Sequence, residues 1–235
     1  MNPFSYLGSN LVTDVILSWS GGKDSSLALK ESLGNSGVKV RGLLSTVTKD
    51  YDRISMHGVR RVLLQEQASS LGLPLFEVFI PKNATNEIYE RETKAALSQV
   101  MTEYSISAVV FGDIFLQDIR EYREKLVSTL RIGCLFPIWG RNTKELANEF
   151  IDSGFRAILC TIDPKKMGPE FCGREFDRKL LSDLPSKVDP CGENGEFHTF
   201  VYDGPIFRKP INITRGEVVQ RDGFYFADII PSQDC

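Results

Sequence analysis

The sequence predicts an α/β fold with an open, mostly parallel sheet, helices on both of its faces and a smaller C-terminal α/β lobe. Two observations lead to this prediction. Strand-like and helix-like segments alternate along most of the chain, and the strand-like runs at residues 15–17 and 106–111 are apolar throughout. Strands without polar alternation are buried on both faces, which is typical of a parallel sheet covered by helices.

The individual elements follow from hydrophobic spacing and from stop signals. Apolar runs predict strands at 15–17, 38–47, 75–80, 106–111, 134–138 and 155–162, and apolar residues three and four apart predict helices that begin near 24, 59, 89, 119 and 146. Beyond Pro185 the chain changes to glycine-rich loops and short β-prone runs. Asp222-Gly223 predicts a hairpin turn between the last two runs.

The composition limits the kinds of protein that this chain can be. It has 235 residues, of which 42% are hydrophobic, enough for one sizeable domain and a small appendage. A net charge of −3 gives no indication of a general nucleic-acid-binding protein. No apolar run approaches the ~20 residues of a membrane span, and residues 1–14 lack the features of a signal peptide. We therefore expect a cytoplasmic protein.

The cysteines do not form a recognisable site. There are five, and no two of them have C-x-x-C spacing: Cys134, Cys160, Cys172, Cys191 and Cys235. The odd number and irregular spacing argue against a disulfide framework, a zinc site or an iron–sulfur site, so any metal ligands stay unidentified. Cys134 and Cys160 fall in predicted strands, where we expect small core residues.

A serine- and glycine-rich segment lies between the first predicted strand and the first predicted helix. It reads Ser20-Gly21-Gly22-Lys23-Asp24-Ser25-Ser26. The N–H groups and dipole of a helix N-terminus can hold phosphate oxygens, glycines allow a ligand to approach the backbone, and lysine adds positive charge. The pattern predicts a phosphate-binding loop. The alternative is a serine–glycine turn that only caps the helix.

The spacing distinguishes this loop from two common nucleotide-binding motifs. A Walker A loop requires G-x-x-x-x-G-K-[ST], whereas Asp24 follows Lys23 here, and the G-x-G-x-x-G spacing of a dinucleotide site is also missing. The segment instead resembles S-G-G-x-D-S, the signature of the N-type ATP pyrophosphatases. This resemblance implies the Rossmann-like HUP fold and a loop that holds the pyrophosphate part of ATP while a nucleophile attacks the α-phosphorus. On this interpretation residues 1–163 form the nucleotide-binding domain and residues 164–235 a smaller substrate lobe.

Four further stretches narrow the resemblance. They are Ser55-Met56-His57-Gly58, Phe111-Gly112-Asp113-Ile114, Pro137-Ile138-Trp139-Gly140-Arg141, and Gly192-Glu193-Asn194-Gly195-Glu196-Phe197-His198-Thr199-Phe200, the last followed by Asp203-Gly204-Pro205-Ile206-Phe207. Together with the loop they resemble the diphthine–ammonia ligase family over residues 15–207. The resemblance implies an AMP-forming C–N ligase. ATP adenylates the carboxylate of diphthine on elongation factor 2 with release of pyrophosphate, and ammonia then displaces AMP to give diphthamide.

The loop position and the resemblance together imply a role for each candidate residue. Catalytic candidates are Lys23, Asp113, Glu193 and Glu196; ATP-binding candidates are Ser18, Ser20, Gly21, Gly22, Lys23, Asp24, Ser25, Ser26 and Gly112; substrate-binding candidates are His57, Trp139, Arg141, Glu193, Glu196 and His198. Simpler structural roles stay open for several of these residues. Asp24 is a good N-cap residue, Trp139 can serve packing alone, and both glutamates can belong to a polar surface loop. Arg120, Arg123 and Lys125 fit a solvated helix face.

The implied partners are ATP as its magnesium complex, free ammonium, and a carboxylate substrate carried on elongation factor 2. Asn194 and His198 stand where members of the family usually have glycine and glutamate, so a relative acting on another carboxylate stays open. A tRNA-modifying relative is a further alternative, although no cysteine pair or RNA-binding appendage is evident. The alternative from a different class is a regulatory protein that binds ATP or AMP without turnover. The oligomeric state is open, a homodimer included.

Overall fold

The computed structural model describes residues 12–232, which form two compact units. The first unit comprises residues 12–20, Asp24–Asp52 and Leu73–Gly140, and the second comprises Gly21–Lys23, Arg53–Gly72 and residues 141–232. Each unit is therefore assembled from separate stretches of sequence. Cys235 and most of the segment considered as a signal peptide lie outside the described residues.

A parallel sheet lies at the centre of the first unit. Its strands β1 (Thr13–Ser18), β2 (Val38–Thr48), β4 (Leu75–Ile80), β5 (Ala108–Val110) and β6 (Gly133–Leu135) are ordered β4-β2-β1-β5-β6. β1 occupies the middle of this order, and Val15, Ile16 and Leu17 are fully buried. The predicted α/β class with a mostly parallel sheet is confirmed.

Three helices accompany this sheet: α1 (Lys23–Leu33), of which all but Lys23 belongs to the first unit, α3 (Asn86–Tyr104) and α4 (Gln117–Ser128). Thr85 caps α3, since its hydroxyl accepts a hydrogen bond from the N–H of Ile88 at 3.4 Å. The buried face of α3 consists of Thr93, Leu97 and Val100. The predicted helical spacing is thus confirmed at Thr93 and Val100. No helix in the described part of the chain is long and apolar enough to cross a membrane.

An antiparallel sheet lies at the centre of the second unit. Its strands β7 (Arg156–Ile162), β8 (Phe197–Asp203), β9 (Ile213–Arg221) and β10 (Phe224–Pro231) are ordered β8-β7-β10-β9. The unit also contains β3 (Arg53–Ile54), α2 (Arg61–Leu71), α5 (Thr143–Asp152) and α6 (Arg178–Asp183). Asp222 and Gly223 have φ of 51° and 85° and connect β9 to β10, so the predicted hairpin is confirmed.

The position of β7 corrects one expectation. The alternation of strands and helices places residues 155–162 in the parallel sheet, but β7 pairs antiparallel with both β8 and β10. Every residue of β7 after Arg156 is buried. The apolar run therefore predicted a buried strand correctly. The apolar run did not reveal which strands β7 pairs with, because a strand that is covered on both faces can pair in parallel or antiparallel.

Packing in the second unit depends on a group of aromatic rings. Phe150 is fully buried on α5, stacks on Phe155 with ring centroids 4.9 Å apart, and meets Phe176 edge-on at 5.5 Å.

We expect Phe150→Ala to lower the free energy of unfolding by about 3–5 kcal/mol, because ring contacts are lost and a cavity remains. Urea unfolding measures the change. The matched control is Phe115→Ala, at a position 40% exposed. An equal loss in both variants would contradict the core role of Phe150.

Candidate functional site

The predicted phosphate loop connects the central strand of the parallel sheet to a helix. β1 ends at Ser18, and α1 begins at Lys23. The hydroxyls of Ser20 and Ser25 lie 3.2 Å apart and share a hydrogen bond, and Ser25 is buried in the first turn of α1. Asp24 lies inside this turn, so the alternative that it is the N-cap residue is wrong. A carboxylate in the first turn still stabilises the helix through its dipole.

The chain beyond β5 lies against the start of α1 within the first unit. A Cβ on Gly112 would lie 2.8 Å from the carbonyl carbon of Asp24 and 3.0 Å from the backbone nitrogen of Ser25. Only glycine fits, because both neighbours are backbone atoms. Asp113 follows directly, beyond the carboxyl end of a parallel strand, which is where ligands of open α/β sheets bind.

Helix α4 holds the Asp113 side chain. Nε of Arg123 donates to one carboxylate oxygen at 2.9 Å, and Nη2 lies 3.4 Å from the other. The guanidinium also lies 4.7 Å from the ring centroid of Phe111. Burial works to lower the pKa of Arg123, but Asp113 and Tyr89 together outweigh it, so the pKa lies above its usual value. Arg123 is therefore a partner of a predicted site residue and not part of a solvated helix face.

Trp139 and Arg141 flank Gly140, and they belong to different units. Trp139 meets Phe136 edge-on with ring centroids 5.8 Å apart, and the guanidinium of Arg120 lies 4.8 Å from the Trp139 centroid. Arg141 donates to Glu149 at 2.5 Å. These contacts support the packing alternative for Trp139. A substrate role for either residue stays a prediction.

In the second unit, residues 21–23 are hydrogen-bonded to β8. The N–H of Val201 donates to the Gly21 carbonyl at 2.8 Å, and the N–H of Lys23 donates to the Thr199 hydroxyl at 3.0 Å. A Cβ on Gly22 would lie 3.0 Å from the Thr199 carbonyl and 3.2 Å from Nε2 of His57. The loop glycines thus allow the phosphate loop to contact segments 55–58 and 192–200, two of the stretches on which the sequence resemblance rests.

The side chain of Lys23 is buried in the same unit and is 2% exposed. Its ammonium donates to the carbonyl of Cys191 and lies 5.6 Å from the ring centroid of Phe197 and 6.0 Å from that of Phe176. Aromatic faces favour a cation that has left water. Lys23 therefore links the phosphate loop to the glycine-rich segment 192–200, a connection that the sequence did not indicate.

Glu196 is buried and 3% exposed, so the surface-loop alternative is wrong for this residue. Oε1 accepts hydrogen bonds from the N–H of Asp189 at 3.2 Å and from Nδ2 of Asn194 at 3.0 Å, whereas Oε2 has no hydrogen-bond partner among residues 12–232. The N–H of Glu193 donates to Asp189 at 3.1 Å, which shapes the same loop. A buried carboxylate oxygen without a donor is costly, so Oε2 is suited to receive a cationic or N–H group of a ligand.

The two histidines of the sequence lie side by side. The ring centroids of His57 and His198 are 4.6 Å apart. Burial, and then the neighbouring His198, lowers the pKa of His57 well below its usual value; burial, and then Lys23, lowers the pKa of His198 to about 4. Both rings are therefore neutral at pH 7, and each can donate one hydrogen bond and accept one. The hydroxyl of Thr161 donates to the His57 carbonyl at 2.8 Å and so fixes the loop that presents this ring.

Potential metal ligands and the thiols of Cys134 and Cys160 can be assessed in the part of the chain that the structure describes. It contains no group of three or more His, Cys, Asp or Glu side chains placed to hold a metal ion. Burial raises the pKa of the Cys134 thiol to about 12, and Cys160 is fully buried with a pKa raised further by the same cause. Neither thiol is poised to react. Cys160 is a small core residue, as predicted, whereas Cys134 is half-buried and packs against the core.

Sequence reasoning missed Arg123, Asp189 and Gln67 as neighbours of the predicted site residues. Gln67 is fully buried on α2 and contacts the phosphate loop. One sequence signal could have identified Gln67: it is a glutamine at a helix position that the apolar spacing assigns to the core. For Asp189 no such signal existed, because its role depends on a loop conformation.

Comparison with known proteins gives one consistent family. A model described as the diphthamide synthase N-terminal domain matches residues 13–132, and one described as the diphthamide synthase C-terminal domain matches residues 142–229. A protein of Schizosaccharomyces pombe named diphthine–ammonia ligase is 28% identical over 223 residues, which cover 86% of this chain and 36% of that protein. Proteins of the same name from Homo sapiens and Danio rerio are 26% and 28% identical and are covered to 86% and 90%, with 89% of this chain covered in each case. The chain thus spans about a third of the yeast relative and most of the vertebrate ones.

The contact of Gly112 with α1 predicts a specific sensitivity. Gly112→Ala is expected to lower the free energy of unfolding by about 1–3 kcal/mol, because backbone atoms must move to admit the methyl group. Denaturant titration measures the loss. The matched control is Gly34→Ala, where the nearest atoms to an added Cβ lie at 3.6 Å, an ordinary contact distance. If both variants were equally stable, α1 and the chain beyond β5 would not be packed as described.

The low pKa values of the histidines predict a pH dependence of stability. The histidines of the unfolded chain have pKa values of about 6.5. Between about pH 6.5 and about pH 4 the unfolded chain therefore binds more protons than the folded chain. The free energy of unfolding should therefore fall as the pH is lowered from 7 to 5. His198→Gln should reduce this fall, and the double variant with His57→Gln should reduce it further. Urea unfolding at pH 7, 6 and 5 tests this, and identical slopes for all three proteins would refute it.

Proposed function

Because the chain belongs to the diphthamide synthase family, we propose that it is an ATP-dependent C–N ligase that adenylates a carboxylate, releases pyrophosphate and transfers the acyl group to ammonia. The observation that carries the proposal is the phosphate loop: residues 20–26 lead from the central parallel strand into a helix N-terminus, and a Cβ would lie 2.7 Å from the Gln67 side chain at Gly21 and 3.0 Å from the Thr199 carbonyl at Gly22. The names of the relatives, diphthine–ammonia ligase, support the same reaction class.

The proposed first step is attack of the carboxylate on the α-phosphorus of ATP. The N–H groups and hydroxyls of Ser20, Gly21, Gly22, Ser25 and Ser26 would hold the pyrophosphate part, and the dipole of α1 would stabilise the negative charge that pyrophosphate carries away. Magnesium enters as the ATP complex. Asp113, oriented by Arg123, is assigned to the nucleotide site because it lies beyond the carboxyl end of β5, and Ser18 and Gly112 allow the nucleotide to approach the strand ends.

The proposed second step is displacement of AMP by ammonia. A free carboxylate is a poor acyl donor, whereas AMP is a good leaving group. Ammonium must first be captured and must lose a proton. Glu193 and Glu196 are assigned to these tasks, and the buried Oε2 of Glu196 supports this assignment because it lacks a donor among the described residues. The neutral His57 and His198 would contact the substrate by hydrogen bonds without adding charge.

We propose diphthine on elongation factor 2 as the acceptor, following the names of the relatives. Its trimethylammonium group would favour nearby carboxylates such as Glu193. We further propose that residues 1–163 bind ATP and that residues 164–235 recognise the acceptor. A cytoplasmic location is part of the proposal, because the acceptor is a translation factor. His198 is neutral, whereas members of the family usually have a glutamate at this position. Other carboxylate substrates should therefore be tested beside diphthine.

Oxygen transfer tests the adenylation step. The protein is incubated with MgATP, ammonium and elongation factor 2 whose diphthine carboxylate carries ¹⁸O. AMP is expected to contain ¹⁸O in its phosphate, because the attacking oxygen stays with AMP when ammonia displaces it. Mass spectrometry of AMP measures the label. AMP without label, or ADP as the product, would contradict the mechanism.

Three controls separate the alternatives. Without ammonium, exchange of labelled pyrophosphate into ATP should continue while release of AMP stops. Glutamine should not replace ammonium in a preparation without other proteins. Failure to form AMP with any carboxylate would favour a regulatory nucleotide-binding protein, and AMP release stimulated by bulk tRNA would favour the tRNA-modifying alternative.

A further inference from the structure

Gln67 is a fully buried polar side chain in the interior of α2. Its Nε2 donates to two backbone carbonyls, that of Gly21 at 3.0 Å and that of Val201 at 2.6 Å. One carbonyl belongs to the phosphate loop and the other to β8, and all three residues lie in the second unit. A single amide group therefore joins the helix, the strand and the loop.

The backbone conformation of Gly21, and its lack of a side chain, allow this contact. Its φ of +77° lies in the left-handed region, and a Cβ at this position would lie 2.7 Å from Oε1 of Gln67. Its carbonyl also accepts the N–H of Val201 at 2.8 Å. Two donors from different elements thus fix the direction of one carbonyl in the loop.

Fixing this carbonyl also fixes the next N–H. The described residues contain no cis peptide bond, and in a planar trans peptide the C=O and the following N–H point in opposite directions. The Gly21 carbonyl points to Gln67 and Val201, so the N–H of Gly22 points away from both. Rotation of this peptide would break two hydrogen bonds and redirect the N–H at the same time.

We infer that Gln67 is a positioning residue that orients the Gly21–Gly22 peptide and thereby the N–H groups of the phosphate loop for ATP. The inference rests on the proposed function, because the ligand of these N–H groups is the ATP of that proposal. Gln67 acts through Gly21 and does not touch the nucleotide.

Two variants of Gln67 and one matched control test this inference. Gln67→Met keeps the approximate shape but removes both donors, and Gln67→Glu replaces them with an oxygen that faces two carbonyl oxygens. The control is Ser70→Ala on the same helix. Ser70 is 2% exposed, and its hydroxyl also makes two hydrogen bonds, to the Lys209 carbonyl at 2.6 Å and from the Lys209 N–H at 3.1 Å.

The measurements are the dissociation constant of MgATP by calorimetry, the melting temperature, and the amide resonance of Gly22 in ¹⁵N-labelled protein. Gln67→Met should weaken MgATP binding at least about tenfold, equivalent to about 1.4 kcal/mol, and Gln67→Glu more. Ser70→Ala should lower the melting temperature to a similar extent as Gln67→Met but change MgATP binding less than about twofold, because it leaves the loop peptide in place. The Gly22 resonance should move in both Gln67 variants and stay in the control.

An unchanged Gly22 resonance in Gln67→Met would overturn the inference, and so would MgATP affinities equal to that of the wild type. An equal loss of affinity in Ser70→Ala would also overturn it, because the effect would then reflect general stability. Failure of the wild-type protein to bind MgATP would refute the proposed function instead. In that case the Gly22 resonance still decides whether Gln67 orients the peptide.

Discussion

The carbonyl of Gly21 is the acceptor on which the polar arrangement of the second unit depends. Hydrogen bonds from Gln67 and Val201 hold it, and they place the following residues along β8. Lys23 then meets Thr199 through its N–H and Cys191 through its ammonium. Because these groups are buried, a polar atom that loses its last partner costs about 1–3 kcal/mol. The loop conformation is therefore determined by several elements together.

Burial, and after it the ammonium of Lys23, sets the protonation of the neighbouring His198. Burial, and then Lys23, lowers the pKa of His198, and burial, and then His198, lowers the pKa of His57, so both imidazoles are neutral at pH 7. The two imidazoles are therefore available as neutral hydrogen-bonding groups. The partly satisfied carboxylate of Glu196 adds an acceptor with unused capacity.

In the first unit, an ion pair holds a carboxylate just beyond the end of a buried strand. Asp113 is paired with Arg123, whose guanidinium is positioned by the ring of Phe111 as well as by α4. The two side chains are 14% and 24% exposed, so water screens their attraction only in part. The contact orients the carboxylate, and Gly112 keeps the adjacent backbone against the first turn of α1.

The sequence by itself determined the elements and the loop motif that depend on near neighbours along the chain. The apolar runs, the Asp222-Gly223 turn and the order of strand, glycines and helix at residues 15–33 are local signals, and the structure contains all of them. Only the tertiary structure decided which distant segments meet: the antiparallel partners of β7, the contact of His57 with His198, and that of Gln67 with Gly21. Apolar spacing tells which side of an element is buried. The partner on that side depends on how segments far apart in sequence pack, and that information is not local.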